Sequence, residues 1–250
     1  MVSEVQAEVD GAQGRAWRER HGWELELAAG RGRLDVPVAR ELLAALVDGI
    51  RGAGGGVARW RVPTATTEHA RAASDAGFDG RRRLVRLDRP LPAPPPEPAL
   101  ATRPFVPGAD DDEWLRVNRA AFHWHPEQGI WTHEELRARI AEPWFDPEGF
   151  LLHPDGPPGS PVHGFCWTKV HDDVDPAVGE IFVIAVDPER AGSGLGRRLV
   201  LAGLAHLAGA GLGHAMLYTE RDNAPAMALY ESLGFSLHHE VQVFTRDVTR

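Results

Sequence analysis

Three glycines, Gly192, Gly194 and Gly196, follow Val186-Asp187-Pro188, with Arg190, Arg197 and Arg198 around them. Glycines this close together let backbone N–H groups approach an anion, and the amino terminus of a following helix adds positive potential. The arginines form a local basic cluster in a chain of formal net charge -9, so a ligand carrying a pyrophosphate suits the place. Three explanations compete. A loop for nucleoside triphosphates needs Lys-Ser/Thr after its last glycine, where Arg197-Arg198 stand here. A dinucleotide fold puts its glycine turn after the first strand of a parallel sheet, whereas several strand-like runs precede this one. A glycine-rich turn without a ligand stays open from this segment alone.

Other reactive side chains are few. Cys166 is the single cysteine, which excludes an internal disulfide framework and fits a reducing, cytoplasmic setting. A lone cysteine in a strand reads as buried, not as a nucleophile. The spacings of His123, His125, His133 and His171 match no compact ligand pattern, so no metal is expected. With 43% hydrophobic and 25% charged residues, the 250 residues can build one large core or two small ones. The acidic balance argues against a nucleic-acid partner, which would need a broad basic surface. No apolar run approaches the roughly 20 residues of a membrane span, and Met1 to Asp10 is polar and acidic; neither a membrane span nor a signal peptide is expected.

The elements that must position the glycine turn form an α/β pattern. Pro90-Leu91-Pro92-Ala93-Pro94-Pro95-Pro96-Glu97-Pro98 reads as an extended spacer dividing a shorter first part from a longer second part. Beyond it, 101–106 reads as a strand and 110–122 as a helix with aspartates at its positive end. Thr132 with Glu135 forms a capping box opening the next helix. A hairpin follows at 149–153 and 162–170, with a proline- and glycine-rich loop at 154–161, and then a strand at 180–186. Helix 194–208, strand 214–218, helix 225–233 and strand 241–245 complete the order, which predicts a mixed sheet. The first part echoes this ending: strand 57–62, helix 67–76 closed by Gly77-Phe78, and strand 83–87, as Gly234-Phe235 closes the last helix. This order predicts an internal duplication.

At these residues the chain resembles the GNAT acetyltransferase superfamily, whose signature is a strand, Val-x-Pro, Gln/Arg-x-x-Gly-x-Gly/Ala and a helix. The later signature of that family is matched by Asn223-Ala224-Pro225-Ala226-Met227-Ala228-Leu229-Tyr230-Glu231-Ser232-Leu233-Gly234-Phe235. One position departs: Ala191 stands where Gln/Arg is usual, with Arg190 displaced by one, which implies weakened cosubstrate affinity at most. From about Arg103 to Phe244 the chain is similar, more specifically, to the mycothiol synthase family of tandem GNAT proteins. The strings that carry this are His125-Pro126-Glu127-Gln128-Gly129-x-Trp131, Trp144-Phe145-Asp146-Pro147-x-Gly149, Trp167-Thr168-Lys169-Val170-His171, Gly179-Glu180 and Leu217-Tyr218.

The resemblance implies an α/β (α+β) GNAT fold: a mixed, mostly antiparallel sheet flanked by helices. It implies a catalytic domain over 100–250, a linker over 90–99, and a shortened, degenerate GNAT-like half over 1–89. The implied reaction moves acetyl from acetyl-CoA to the cysteinyl amine of cysteinyl-glucosaminyl-inositol, directly and without an acyl-enzyme. Such a transfer needs a neutral amine and a proton for the departing thiolate. An α-amine titrates near ~7.7–8.0, so modest base assistance suffices. Glu180 matches the general base and Tyr230 the general acid. Backbone groups of Ile184, Ala185 and Val186 match the pantetheine-binding strand. Ala191, Gly192, Ser193, Gly194, Leu195, Gly196 and Arg197 match the pyrophosphate turn, and Asn223, Ala224, Pro225, Ala226, Met227 and Ala228 the other side of the cosubstrate. Glu127, Lys169, Glu180 and Tyr218 match acceptor-binding positions. A different amine acceptor, or acetyl-CoA sensing without turnover, remains open, and a monomer is expected.

Aligning Gly77-Phe78 on Gly234-Phe235 puts Ala73 opposite Tyr230, Thr66 opposite Asn223 and Pro37 opposite Gly194. A proline there removes an N–H donor. One strand-like run, 23–27, precedes it, so the first half is expected to lack front strands, catalysis and acetyl-CoA binding.

Overall fold

The structure is a computed structural model, described here for residues 4–19, 21–29, 35–125 and 128–249. Among these, eleven strands and six α-helices form two compact units. The first comprises Met1–Arg86, Thr219–Ala224 and Leu237–Arg250; the second comprises Leu87–Tyr218 and Pro225–Ser236.

The first unit contains β1 (Glu4–Val9), β2 (Ala12–Glu19), β3 (Gly22–Ala28), α1 (Val36–Gly52), β4 (Gly56–Pro63), α2 (Thr67–Asp75), the first part of β5 (Asp79–Pro90) and almost all of β11 (Ser236–Val248). Its strands run in the order β1-β2-β3-β4-β11, with only β3–β4 parallel among these neighbours. Asp10 and Gly11, both at positive φ, make the two-residue turn that joins β1 to β2. Three strands therefore precede α1, and the expectation that the first half lacks its front strands is corrected. The hairpin is faint in sequence because its inner face is small: a Cβ on Gly14 would stand 3.1 Å from Leu27 and Leu46, and one on Gly49 would strike Val5. Small residues let α1 lie close, and they leave little hydrophobic alternation to read.

Helix α1 buries Ala39, Leu42, Leu43, Leu46, Val47 and Ile50, a stripe at helical spacing. With Trp23, Trp60, Phe78, Phe244 and Val248, the side chains of Leu43, Leu46, Val47 and Ile50 form the first unit's core. The order β1-β2-β3-α1-β4-α2-β5 is the order shown again later in the chain.

The second unit contains β6 (Arg103–Pro104), α3 (Asp111–Ala121), α4 (His133–Ile140), β7 (Phe150–Pro154), β8 (Val162–His171), β9 (Val178–Val186), α5 (Leu195–Gly209), most of β10 (His214–Glu220) and most of α6 (Ala224–Ser232). Its strands run β10-β9-β8-β7-β6, with only β9–β10 parallel. The strand expected over 101–106 shortens to two residues, since Pro104 and Pro107 cannot donate to a ladder. Trp114 from α3 packs on Phe150, Phe165 and Trp167, and Phe105, Leu136, Val183 and Ala185 complete that core. The capping box of Thr132 and Glu135 is formed.

The aspartates expected to stabilise the start of α3 through its dipole do more specific work. Asp110 makes no side-chain cap bond. Its buried carboxylate instead accepts both Arg103 guanidinium nitrogens, at 2.6 and 2.8 Å, and the backbone N–H groups of Val106 and Gly159. Burial opposes ionisation, but these donors outweigh it and hold the carboxyl below its ordinary pKa.

Candidate active site

The glycine turn is built as the sequence requires. After β9, Pro188–Arg190 forms one turn of 3-10 helix, and α5 opens at Leu195. Gly192 and Gly194 both have φ +77, a region costly to side-chain-bearing residues, and no atom lies within 4 Å of where a Cβ would stand on either. Gly194 is the residue before α5 and offers no capping side chain. The first N–H groups of a helix have no acceptor within it; that of Leu195 reaches back to Ser193 Oγ at 3.4 Å, and those of Gly196 and Arg197 are the next donors at this end. Ser193 Oγ donates to the Arg190 carbonyl at 2.7 Å, tightening the turn. The Arg197 guanidinium donates to Ser232 Oγ at 2.8 Å.

Asp187, the middle residue of Val-Asp-Pro, anchors this turn to the fold. One carboxylate oxygen accepts Glu189 N–H, and the other accepts Arg116 of α3 at 2.6 Å. Burial works against the charge on Asp187, yet Arg116 and Glu189 N–H hold its pKa below the ordinary carboxylate value. Arg116 also donates to the Val162 carbonyl at 3.0 Å.

Strand β9 does two things at once. It pairs with β8 along most of its length but with β10 only at Gly179 and Glu180, so Ile184, Ala185 and Val186 have no partner on the β10 side. The register against β8 shifts between Trp167 and Thr168, leaving Phe182 as an extra residue on β9. Such a bulge bends the strand and explains why it diverges from β10 here. An extended chain bearing amides can pair with that open edge.

At the closed end of the divergence stands Glu180, directly across from Lys169 on β8 and beside Met216 on β10. Glu180 is largely buried. His171 Nε2 lies 2.7 Å from its Oε2, at hydrogen-bond distance. Lys169 does not pair with Glu180; its Nζ lies 4.8 Å from the centre of the Trp144 ring. Tyr218, two residues beyond Met216 and so on the same face, is exposed.

Tyr230 lies about two turns into α6, buried against Phe235. Burial, with Cys166 as a smaller influence, raises its pKa well above that of a free phenol. Cys166 is fully buried beneath Gly203 of α5, its thiol pushed up to about 12 by burial. It is an inert packing residue.

The structure thus groups Glu180 with Lys169 and His171, and gathers Ala191 through Arg197 into one turn. Asn223 and Ala224 belong to the first unit, whereas Pro225, Ala226, Met227 and Ala228 belong to the second. Glu127 lies outside the described residues. Three contributors escaped the sequence reading: His171 as the partner of Glu180, Trp144 beneath Lys169, and Arg116 on Asp187. His171 stood in a quoted string, but its pairing depends on hairpin register and a bulge. His123, His125 and His133 are engaged separately, with the Ala120 carbonyl, Gln128 N–H and Asp112. No cluster of three or more metal-ligating side chains occurs among the described residues. No helix among them is long and apolar enough to cross a membrane.

A strand diverging at a bulge, a glycine turn and a helix opening at that turn define the GNAT class of acetyltransferase folds. The Acetyltransferase (GNAT) family profile matches residues 117–235. A GCN5-related N-acetyltransferase from Sphaerobacter thermophilus superposes with a TM-score of 0.73 at 19% identity, over 96% of this chain and 78% of that one. A tandem GNAT protein from the clavulanic acid biosynthesis pathway does so with 0.66 at 16%, over 99% and 84%. Both show the shared fold. Closer in sequence is the mycothiol acetyltransferase of Acidimicrobium ferrooxidans, 43% identical over 88% of this chain and 73% of its own length. That of Thermobispora bispora is 47% identical over 78% and 66%, and that of Salinispora arenicola 50% identical over 67% and 56%. The chain belongs to the mycothiol acetyltransferase family of GNAT proteins. Its match spans about half to two thirds of the length of most of these relatives.

Proposed function

We propose that the chain transfers acetyl from acetyl-CoA to the cysteinyl amine of cysteinyl-glucosaminyl-inositol, forming mycothiol. The observation that carries this is the Glu180 carboxylate at the closed end of the β9–β10 divergence, next to an open strand edge that leads to the glycine turn. In this reading the edge of Ile184–Val186 pairs with pantetheine amides and Ala191–Arg197 receive the pyrophosphate. Asn223–Ala228 flank the pantetheine. Lys169, Tyr218 and Glu127 bind the acceptor with Glu180.

Glu180 takes a proton from the acceptor ammonium, directly or through water. The amine nitrogen then bonds to the thioester carbon and the carbon–sulfur bond breaks. The nitrogen sheds its second proton to solvent as the amide forms; Tyr230 gives its proton to the departing thiolate and regains one from solvent, while Glu180 releases the one it took. No covalent enzyme intermediate is needed, and the buried Cys166 takes no part.

The first half, 1–89, is proposed as a degenerate GNAT copy joined by 90–99 to the catalytic part, 100–250, with the chain acting as a monomer. Its helix α1 supports loss of the phosphate site. Asp35 caps that helix by accepting Val38 N–H at 3.0 Å, so the position equivalent to Gly194 carries a carboxylate that repels an anion. Pro37 falls in the first turn, two residues beyond its expected alignment, and removes a further donor.

The test is coenzyme A release from acetyl-CoA with the thiol-sugar amine, wild type against Glu180→Ala. Turnover that drops about 10²-fold or more in the variant is the expected result. Acetyl-CoA bound without turnover in wild type would sink the acceptor assignment and point to another amine or to a sensor.

A further inference from the structure

Lysine and glutamate directly opposed on antiparallel strands ordinarily pair with each other. Lys169 and Glu180 are so opposed, yet no ion pair joins them among the described residues. Two neighbours separate them. Trp144 holds the Lys169 ammonium over its ring, and Trp144 is itself fixed by Trp167 at 5.9 Å and Phe182 at 5.1 Å. His171, one strand repeat beyond Lys169 on the same face of β8, occupies Glu180 Oε2 at 2.7 Å. The His171 side chain is 23% exposed and that of Glu180 11%, so the bond is sheltered while the imidazole keeps a route to solvent.

We propose that His171 is a positioning residue for the base. Its Nε2–H fixes the Glu180 carboxylate so that Oε1 faces the acceptor amine, and prevents the carboxylate from collapsing onto Lys169. An ionised carboxylate only accepts hydrogen bonds, so the imidazole must present Nε2–H toward it, in the neutral or the protonated form. A salt bridge to Lys169 would remove the ammonium from acceptor binding and turn the carboxylate toward β8. Phe182, the bulged residue, braces Trp144, and Trp144 draws Lys169 away.

This inference rests on the proposed acetyl transfer for its kinetic consequence, but not for the bond itself, and the experiment separates the two. Steady-state coenzyme A release is measured with acetyl-CoA and the thiol-sugar amine for wild type, His171→Ala and His171→Gln. Glutamine keeps an N–H donor at about the reach of Nε2. The expected result is a kcat lowered about tenfold or more in His171→Ala, with an unchanged KM for acetyl-CoA, and a kcat largely restored in His171→Gln. Wild-type kcat in His171→Ala, or equal loss in both variants, overturns the positioning role. In parallel, nitrogen NMR of the His171 ring is compared between wild type and Glu180→Gln. A protonated Nε2 whose resonance moves in Glu180→Gln supports the pair even if the thiol-sugar amine is not turned over. A ring protonated only at Nδ1, or unmoved by that substitution, overturns the proposal whatever the acceptor proves to be.

Discussion

Burial raises the pKa of Tyr230, so its phenol holds a proton throughout the range in which an α-amine loses one. That is the state a donor to a departing thiolate must be in. Tyr230→Phe removes the O–H and keeps the ring packed on Phe235. The expected outcome is a kcat about 10²-fold lower with acetyl-CoA affinity retained, read from turnover and from direct binding. Asp110 shows the opposite electrostatics. Its folded pKa is depressed, so it adds stability that is present above the ordinary carboxylate value and is lost as pH falls through the lower folded value. Asp110→Asn is expected to destabilise the protein by about 2 kcal/mol at neutral pH, because Arg103 loses its charged partner. Urea titrations at descending pH check the sign: the gap between wild type and variant should narrow toward the acid end.

At the scale of elements, what matters is how the glycine turn is held from its flanks. Two glycines at positive φ give it shape, but Asp187 ties it to α3 through Arg116. The far side is steadied at α6, where Arg89 donates to the Leu233 carbonyl at the negative end of that helix and Arg197 holds Ser232. Arg116→Ala frees one Asp187 oxygen and loosens the turn. The KM for acetyl-CoA should rise about tenfold, equivalent to one lost charge-assisted hydrogen bond, with a smaller change in kcat. Coenzyme A release at varied acetyl-CoA distinguishes this from a general loss of fold, which would lower kcat at saturating cosubstrate as active protein disappears.

On the scale of the whole molecule, the units do not follow the chain's linear division. Strand β11 pairs with β4 from Val241↔Pro63 to Val248↔Gly56 and lends Phe244 and Val248 to the first unit's core. A chain ending at residue 236 would keep every residue of the proposed acetyl-transfer site and lose both of these. Removing a core phenylalanine alone costs about 3–5 kcal/mol, and Val248 and the β4 pairing are lost with it, against about 5–15 kcal/mol for a whole domain. The first unit should therefore unfold. Limited proteolysis is expected to cut rapidly within 4–86 in the truncated chain and slowly in the full one; equal resistance would contradict the assignment of β11.

Sequence by itself determined the local devices, because each is set by residues a few positions apart. The glycines and arginines of 190–198, the capping box of Thr132 and Glu135, the strand–helix order and the two family signatures all depend on short-range geometry. Only the tertiary structure decided which strand lies beside which, because pairing register is fixed by contacts between distant segments. Lys169 and Glu180 are opposed in that register, yet Lys169 lies over Trp144 and His171 lies against Glu180. The hairpin β1–β2 stayed hidden because close helix packing selects small residues and erases hydrophobic alternation. The place of β11 was beyond a linear reading for the same physical reason: a strand satisfies its backbone on a neighbour's edge, and nothing in its own residues says which edge that is.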